Sequence, residues 1–246
     1  MKYTEQLKKQ LAAELNCSPD DFASTENVIT VPALNDGRRI YQHEPYFFHM
    51  ATMGTNAVIT SDEKLHSFLR EWCADKQGHW LFEQPNLLVL EKELNRYGHT
   101  LSQSHHMFLP QLHTEPTNIS IETKWFADKE IHQFYGDERF PNAICSEFLP
   151  HRPDTLVVCA YINNEIAGMA GCSMDAKGWQ QIGIDVMPQH RSKGIGAYLV
   201  ALLKNEIEQR GDIPFYGTSL SNLHSWKIAL KCGFRPAWVE IGCKKA

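Results

Sequence analysis

The chain has 246 residues, 43% of them hydrophobic and 22% charged, with a net charge of −5 and seven cysteines that form no CxxC pair. With no block of Lys and Arg it lacks the basic footprint of a nucleic-acid-binding protein, and with no run of about 18 apolar residues it offers no membrane-spanning helix. An odd number of thiols without metal spacing fits a reducing compartment, and the amphipathic first segment has no apolar centre like that of a signal peptide, so a cytoplasmic protein is expected.

Residues 2–15 are predicted to be a helix, with Leu7, Leu11 and Leu15 on one stripe. Residues 27–31 and 39–41 read as short strands around the turn Asn35-Asp36-Gly37. Ser61-Asp62-Glu63 offers a cap for a helix carrying Leu65, Phe68, Leu69 and Trp72, and another helix is expected over 86–97, stopped by Gly98. Residues 46–50 and 79–82 are rich in aromatics and suit a substrate pocket, a core or a dimer face. The stretch 110–116 carries two prolines and no apolar period, which places a domain boundary at 113/114. An N-terminal α+β domain (1–113) with a substrate-binding or dimerisation role would then precede a second domain (114–246).

In that second part, 118–126 alternates like a strand and 128–135 reads as helix. Residues 155–162 and 166–173 form a predicted hairpin closed by Asn163-Asn164, because Asn tolerates positive φ. A strand over 180–186 is stopped by Pro188. A long amphipathic helix follows over 192–210, with Ile195, Tyr198, Leu199, Leu202, Leu203 and Ile207 on one face and Gly211 after it. A strand at 215–219, a helix at 222–232 with Leu223, Trp226 and Leu230 inward, and a strand at 237–243 complete the chain. The fold class is α/β, a mixed sheet layered with helices.

The chemically informative unit is the strand–turn–helix from Ile184 to Ala197. The first amides of a helix have no internal partners and carry the positive end of its dipole, and glycines let a ligand approach the backbone. Arg191 and Lys193 add charge, so the turn suits a diphosphate. There is no GxxxxGK[ST], and no GxGxxG follows a first strand. Taken alone, Gly194 and Gly196 fit tight helix–strand packing equally well.

Arg191-x-x-Gly194-x-Gly196 after a strand ending Val186-x-Pro188 resembles the acetyl-CoA-binding signature of the GNAT N-acetyltransferase superfamily. The Asn222-initiated helix ending in Gly233-Phe234 resembles that family's second signature. The resemblance covers about residues 114–246 and is similar to a two-part bacterial subgroup of unassigned substrate. It implies a GNAT-like fold for this half, acetyl-CoA as cofactor, and a strand 180–186 that parts from 215–219. Backbone groups of Ile184 and Val186 would pair with the pantetheine, like an added strand. Amides of Arg191, Ser192, Lys193, Gly194, Ile195, Gly196 and Ala197 would hold the diphosphate, with Asn222 and Ser225 beside the pantetheine and thioester. A Trp at Gly196 is expected to fill this cradle and abolish CoA binding without unfolding the protein.

The implied reaction is direct attack of a small-molecule or peptide amine on the acetyl thioester. The usual acid–base pair of the family is missing, since its positions hold Gln180 and Ala229. Asp185, Tyr216 and Ser225 are the replacement candidates, and Glu147 or His151 would have to reach in from a loop. The alternative is an acyl-CoA-binding sensor that has lost turnover. His99, His105, His106 and His113 lack the close pairing of a zinc site, so no metal is expected. Cys145 and Cys172 have no neighbour in sequence that would lower a thiol pKa, and read as packing residues. Neither a nucleic-acid nor a membrane partner is expected, and a homodimer fits the aromatic stretches of the first half.

Overall fold

The computed structural model describes residues 2–116 and 119–246, so the first residue of the strand expected from 118 lies outside the described residues. The chain divides into two compact units, Tyr3–Met107 with Ala237–Ala246, and Phe108–Pro236. The cut therefore falls at 107/108 rather than 113/114, and the last ten residues join the first unit. They do so because the final strand makes its ladder with strands of that unit.

The first unit contains α1 (Thr4–Leu15), β1 (Val28–Thr30), β2 (Phe48–Thr52), β3 (Ala57–Ser61), α2 (His66–Cys73), α3 (Gln84–Asn95), β4 (His99–Leu101) and the first residues of β5 (His105–Pro110). β1 runs parallel to β3, and β2 runs antiparallel to β3. The far end of β11 (Phe234–Lys245) pairs with β2 through Val239↔Thr52 to Gly242↔His49, and with β4 through Cys243↔Leu101. Phe48, Met50, Ile59, Leu65, Leu69 and Leu90 make its apolar core. The expected strand at 39–41 is not formed. That segment instead buries Arg39, 2% exposed, between Glu14 (2.6 and 2.7 Å) and Glu240 (2.7 and 3.3 Å). Trp238 Nε1 donates to the same Glu240 carboxylate at 2.7 Å.

The second unit is built on β6 (Glu122–Ala127), β7 (Asp154–Ile162), β8 (Glu165–Ala176), β9 (Trp179–Val186) and β10 (Ile213–Ser219), in the order β10-β9-β8-β7-β6. Every neighbouring pair is antiparallel except β9 and β10, which are parallel and joined by α4 (Ile195–Gln209). The β7–β8 turn closes on Asn163 (φ 52°) and Asn164 (φ 65°), the two successive positive φ values that a two-residue hairpin of this twist needs. The helix expected at 128–135 is a 3₁₀ helix, Asp128–Phe134.

Both faces of this sheet are covered. Ile195, Leu199, Leu203 and Ile207 of α4 meet Val158, Ala170 and Ile182 on one face. On the other, Ile131, Phe134, Phe140 and Ile144 meet Val157, Cys159 and Met169. α5 (Leu223–Lys231) is turned differently from the expectation: Leu223 and Leu230 are exposed (62% and 41%). Its inward residues are Trp226, edge-on to Phe108 at 4.8 Å, and the fully buried Ala229. A small residue lets the helix sit close to its neighbours, which the bulk-based periodicity of the leucines does not reveal. Among the described residues, no helix is long and apolar enough to cross a membrane.

Candidate active site

The parallel ladder between β9 and β10 registers Trp179↔Ile213, Gln180↔Pro214, Gln181↔Phe215 and Ile182↔Tyr216, and stops there. Both strands continue, β9 to Val186 and β10 to Ser219, so a gap opens beyond Ile182 and Tyr216. β9 stays in the sheet through its other edge, where Ile184 and Val186 register with Ala170 and Gly168 of β8. Met187 N–H donates to Ala167 O at 3.0 Å, toward β8. Backbone direction alternates along a strand, so the N–H and C=O of Ile184 and Val186 point the other way, into the gap. The Val186 carbonyl already accepts from Arg191 Nε at 3.0 Å. Arg191 thus ties the turn to the strand, and at Val186 only the N–H is open for a ligand.

Beyond the gap, Pro188–His190 makes one 3₁₀ turn, and Ser192 (φ 60°) and Gly194 (φ 85°) bend the backbone into α4. Gly194 caps the helix without a side chain, and the first intrahelical bond runs from Tyr198 N–H to Gly194 O at 3.0 Å. The amides of Ile195, Gly196 and Ala197 precede that bond, and they sit at the positive end of the helix dipole. An anionic diphosphate fits this mouth.

The two glycines do different work. Gly194 has the left-handed φ of the bend. Gly196 lies where α4 crosses β9, and a Cβ on it would stand 3.3 Å from both Val186 Cγ2 and Ile228 Cδ1. The expectation for Gly196→Trp is therefore corrected: an indole there would pry α4 off β9 before it filled any cradle. Asn222 Oδ1 accepts from Ser225 N at 3.2 Å, so this side chain caps α5.

The acid–base candidates separate clearly. Gln180 is locked: its Nε2 donates to Asp212 Oδ2 at 2.9 Å and its Oε1 accepts from Thr155 Oγ1 at 2.9 Å. Asp185 is drawn to the neighbouring segment: its carboxylate accepts from Asn142 N (2.7 Å), Asn142 Nδ2 (2.7 Å) and Ala143 N (2.9 Å). The backbone it clamps lies flat on β8 and β9, where Gly171 and Gly183 face each other. A Cβ on Gly183 would sit 1.7 Å from Asn142 O, and one on Gly171 2.3 Å from Ala143 O.

Tyr216 sits on the last rung before the gap and is 2% exposed. Burial pushes its hydroxyl pKa up to about 12, against a hydrogen bond with Ser225 that works the other way. Tyr216 and Ala229 belong to one buried cluster. Glu147 and His151 do not line the cavity described next.

Sequence reasoning missed a cavity of about 570 Å³ on the face of β8 and β9 away from α4. It lies beneath the 136–146 segment, and its polar walls include Glu138, Arg152, Asp154 and Gln181, reaching Ile182 and Gly183 at the start of the gap. These residues come from three separate stretches of chain, which no local motif links. Among the described residues, no group of three or more His, Cys, Asp or Glu is placed to hold a metal ion.

Residues 119–234 match the acetyltransferase (GNAT) family model. No curated protein matches the chain. Among solved structures, a Drosophila protein is similar over 99% of this chain and 88% of its own, at 13% identity and a TM-score of 0.50. A GNAT-family protein from Novosphingobium aromaticivorans is similar over 61% of this chain and 68% of its own, at 15% identity and a TM-score of 0.46. The structure of yncA from Salmonella typhimurium with its cofactor acetyl-CoA is similar over 38% of this chain and 64% of its own, at 18% identity and a TM-score of 0.31. Residues 119–234 therefore form an acetyltransferase domain of the GNAT family, a family of acyl-CoA-dependent acetyl transfer.

Proposed function

We propose that the chain moves the acetyl group of acetyl-CoA to the amine of a small molecule or peptide by direct attack. The observation that carries this is the β9–β10 ladder ending at Ile182↔Tyr216, beside a helix mouth capped only by Gly194. Bound acetyl-CoA supplies an activated acetyl thioester. The amides of Ile195, Gly196 and Ala197 and the α4 dipole hold its diphosphate, with Arg191 and Lys193 adding charge. Backbone groups of Ile184 and the Val186 N–H take the pantetheine as an added strand. A β9 N–H facing the gap stabilises the oxygen on which charge develops.

Tyr216 is the proton donor to the departing sulfur. Its hydroxyl is neutral at physiological pH because burial raises its pKa to about 12, and Ser225 positions it. No side chain is assigned as base, since Gln180 and Asp185 are both hydrogen-bonded to neighbouring parts of the fold, and the proton that the amine loses passes to water, from which Tyr216 is reprotonated. That engagement also favours a second reading, an acyl-CoA sensor without turnover.

Thermal melting with CoA and thiol release with acetyl-CoA plus an amine library decide between them. The enzyme reading expects a raised melting temperature and thiol release. It also expects Tyr216→Phe to lower kcat about 100-fold while CoA affinity stays within about two-fold. A thermal shift with no thiol release for any amine leaves the sensor, and no thermal shift at all removes both.

A further inference from the structure

The 570 Å³ cavity ends, on the side away from the gap, at Asp154. This carboxylate is only 4% exposed. It accepts from the Cys145 N–H at 3.1 Å, and the buried Tyr135 hydroxyl lies near enough to feel its charge without a hydrogen bond of normal geometry. Burial raises the Asp154 pKa, although the Cys145 N–H, the Tyr135 hydroxyl and the charge of Arg152 work to lower it. Arg152 shares the cavity wall and hydrogen-bonds Asp175 Oδ1 (2.7 Å) and Gln181 Oε1 (3.0 Å), so its charge is divided among several acceptors. Asp137 at the rim is held by Arg139, and the neighbouring Glu138 adds a second carboxylate to the wall. A buried anion of this kind is stabilised most by a cation that enters the cavity and hydrogen-bonds to it.

Asp154 is too far from the gap to meet the reacting nitrogen. It registers with Ser173 on β8, which registers with Gln181 on β9, so it stands two strand spacings away from β9. Two spacings are about 10 Å, and the step from Gln181 to Gly183 adds about 7 Å along the strand. We propose that the cavity reads a second cationic group of the acceptor, roughly 10 Å from the nitrogen that is acetylated, so that the substrate class is a linear diamine and Asp154 is its specificity-determining residue. The inference rests on the acetyltransferase reading for which nitrogen reacts, but binding in the cavity does not need turnover.

The test is calorimetric titration of diaminooctane and octylamine into the full chain with CoA present, repeated with Asp154→Asn and Glu138→Gln. Asparagine keeps an acceptor for the Cys145 N–H and is close in size, and circular dichroism checks that each variant is folded. The proposal expects the diamine to bind at least about ten-fold tighter than the monoamine, with that preference lost in Asp154→Asn and reduced in Glu138→Gln while monoamine binding is unchanged. Acetyl-CoA turnover should show the same split, in KM for the diamine rather than in kcat. Equal binding of the two amines, or an equal loss of both in Asp154→Asn, overturns the proposal. Diamine preference without any CoA binding would keep the cavity reading and sink the acetyltransferase one.

Discussion

Two regions of the molecule bury carboxylates and treat them in opposite ways. In the first unit, Glu14 and Glu240 close on Arg39, and the guanidinium overrides burial to hold the Glu240 pKa down to about 2. Arg39 itself stays charged although burial opposes it, because two carboxylates surround it. In the second unit, Asp154 is as deeply buried, and burial prevails over its partners and raises its pKa. The difference teaches that burial alone does not mark a functional carboxylate. What matters is whether the fold closes a direct ion pair on the carboxylate. Where it does, the site is structural. Where it leaves the carboxylate facing a polar cavity, a ligand has something to complete.

The strongest way to break this contrast is Arg39→Met. It leaves two buried anions without their cation and should cost about 3–5 kcal/mol, read as a large drop in the denaturation midpoint of the first unit. A loss under about 1 kcal/mol would mean that water already solvates the cluster. Asp185→Ala comes next, at about 1–2 kcal/mol, because it removes three accepted hydrogen bonds, two from the exposed Asn142 that water can replace and one from the Ala143 N–H that is less accessible. It should also loosen the 136–146 wall of the cavity, which hydrogen exchange at those amides would show.

Acid sharpens the comparison through the sign of linkage. Glu240 is held low, so its contribution is complete above its ordinary value of 4.5 and is lost as pH falls toward about 2. Asp154 is raised above its ordinary 3.8, so its burial penalty is relieved, not increased, as pH falls through its folded pKa. Hydrogen exchange followed from pH 5 downward should therefore show protection in β2 and β3 failing before protection in β7 and β8. The reverse order would contradict the assignment of charges.

The two units also differ in how much of them the sequence reveals. In the second, Pro188, Gly194 and Gly196 punctuate a strand and a helix in local order, and Asn163-Asn164 fixes a hairpin by its own conformational tolerance. Such signals act within a few residues and are legible there. The Arg39 cluster is not, because its partners lie 25 and 201 residues away, and Arg39-Ile40-Tyr41 looks like a strand when those partners are unknown. The strand β2 was likewise hidden, since its pattern is buried nearly throughout and does not alternate. Asp185 misleads for a related reason. Its place on the strand next to the gap is readable, but the Asn142 backbone and side chain that hydrogen-bond to it come from 43 residues upstream.

The smallest expected effect is the most discriminating. Asp154→Asn removes a buried charge that burial disfavours, and it keeps an oxygen for the Cys145 N–H, so stability at pH 7 should change by less than about 1 kcal/mol. Glu240→Gln makes the same kind of change beside a guanidinium and should cost clearly more, because Arg39 loses one of its two anions. Denaturant midpoints for the two variants, measured side by side, test whether the fold needs each charge. If Asp154→Asn costs as much as Glu240→Gln, Asp154 already has its counter-charge within the protein. The end of the cavity would then be a structural anion site with nothing left for a ligand cation to neutralise.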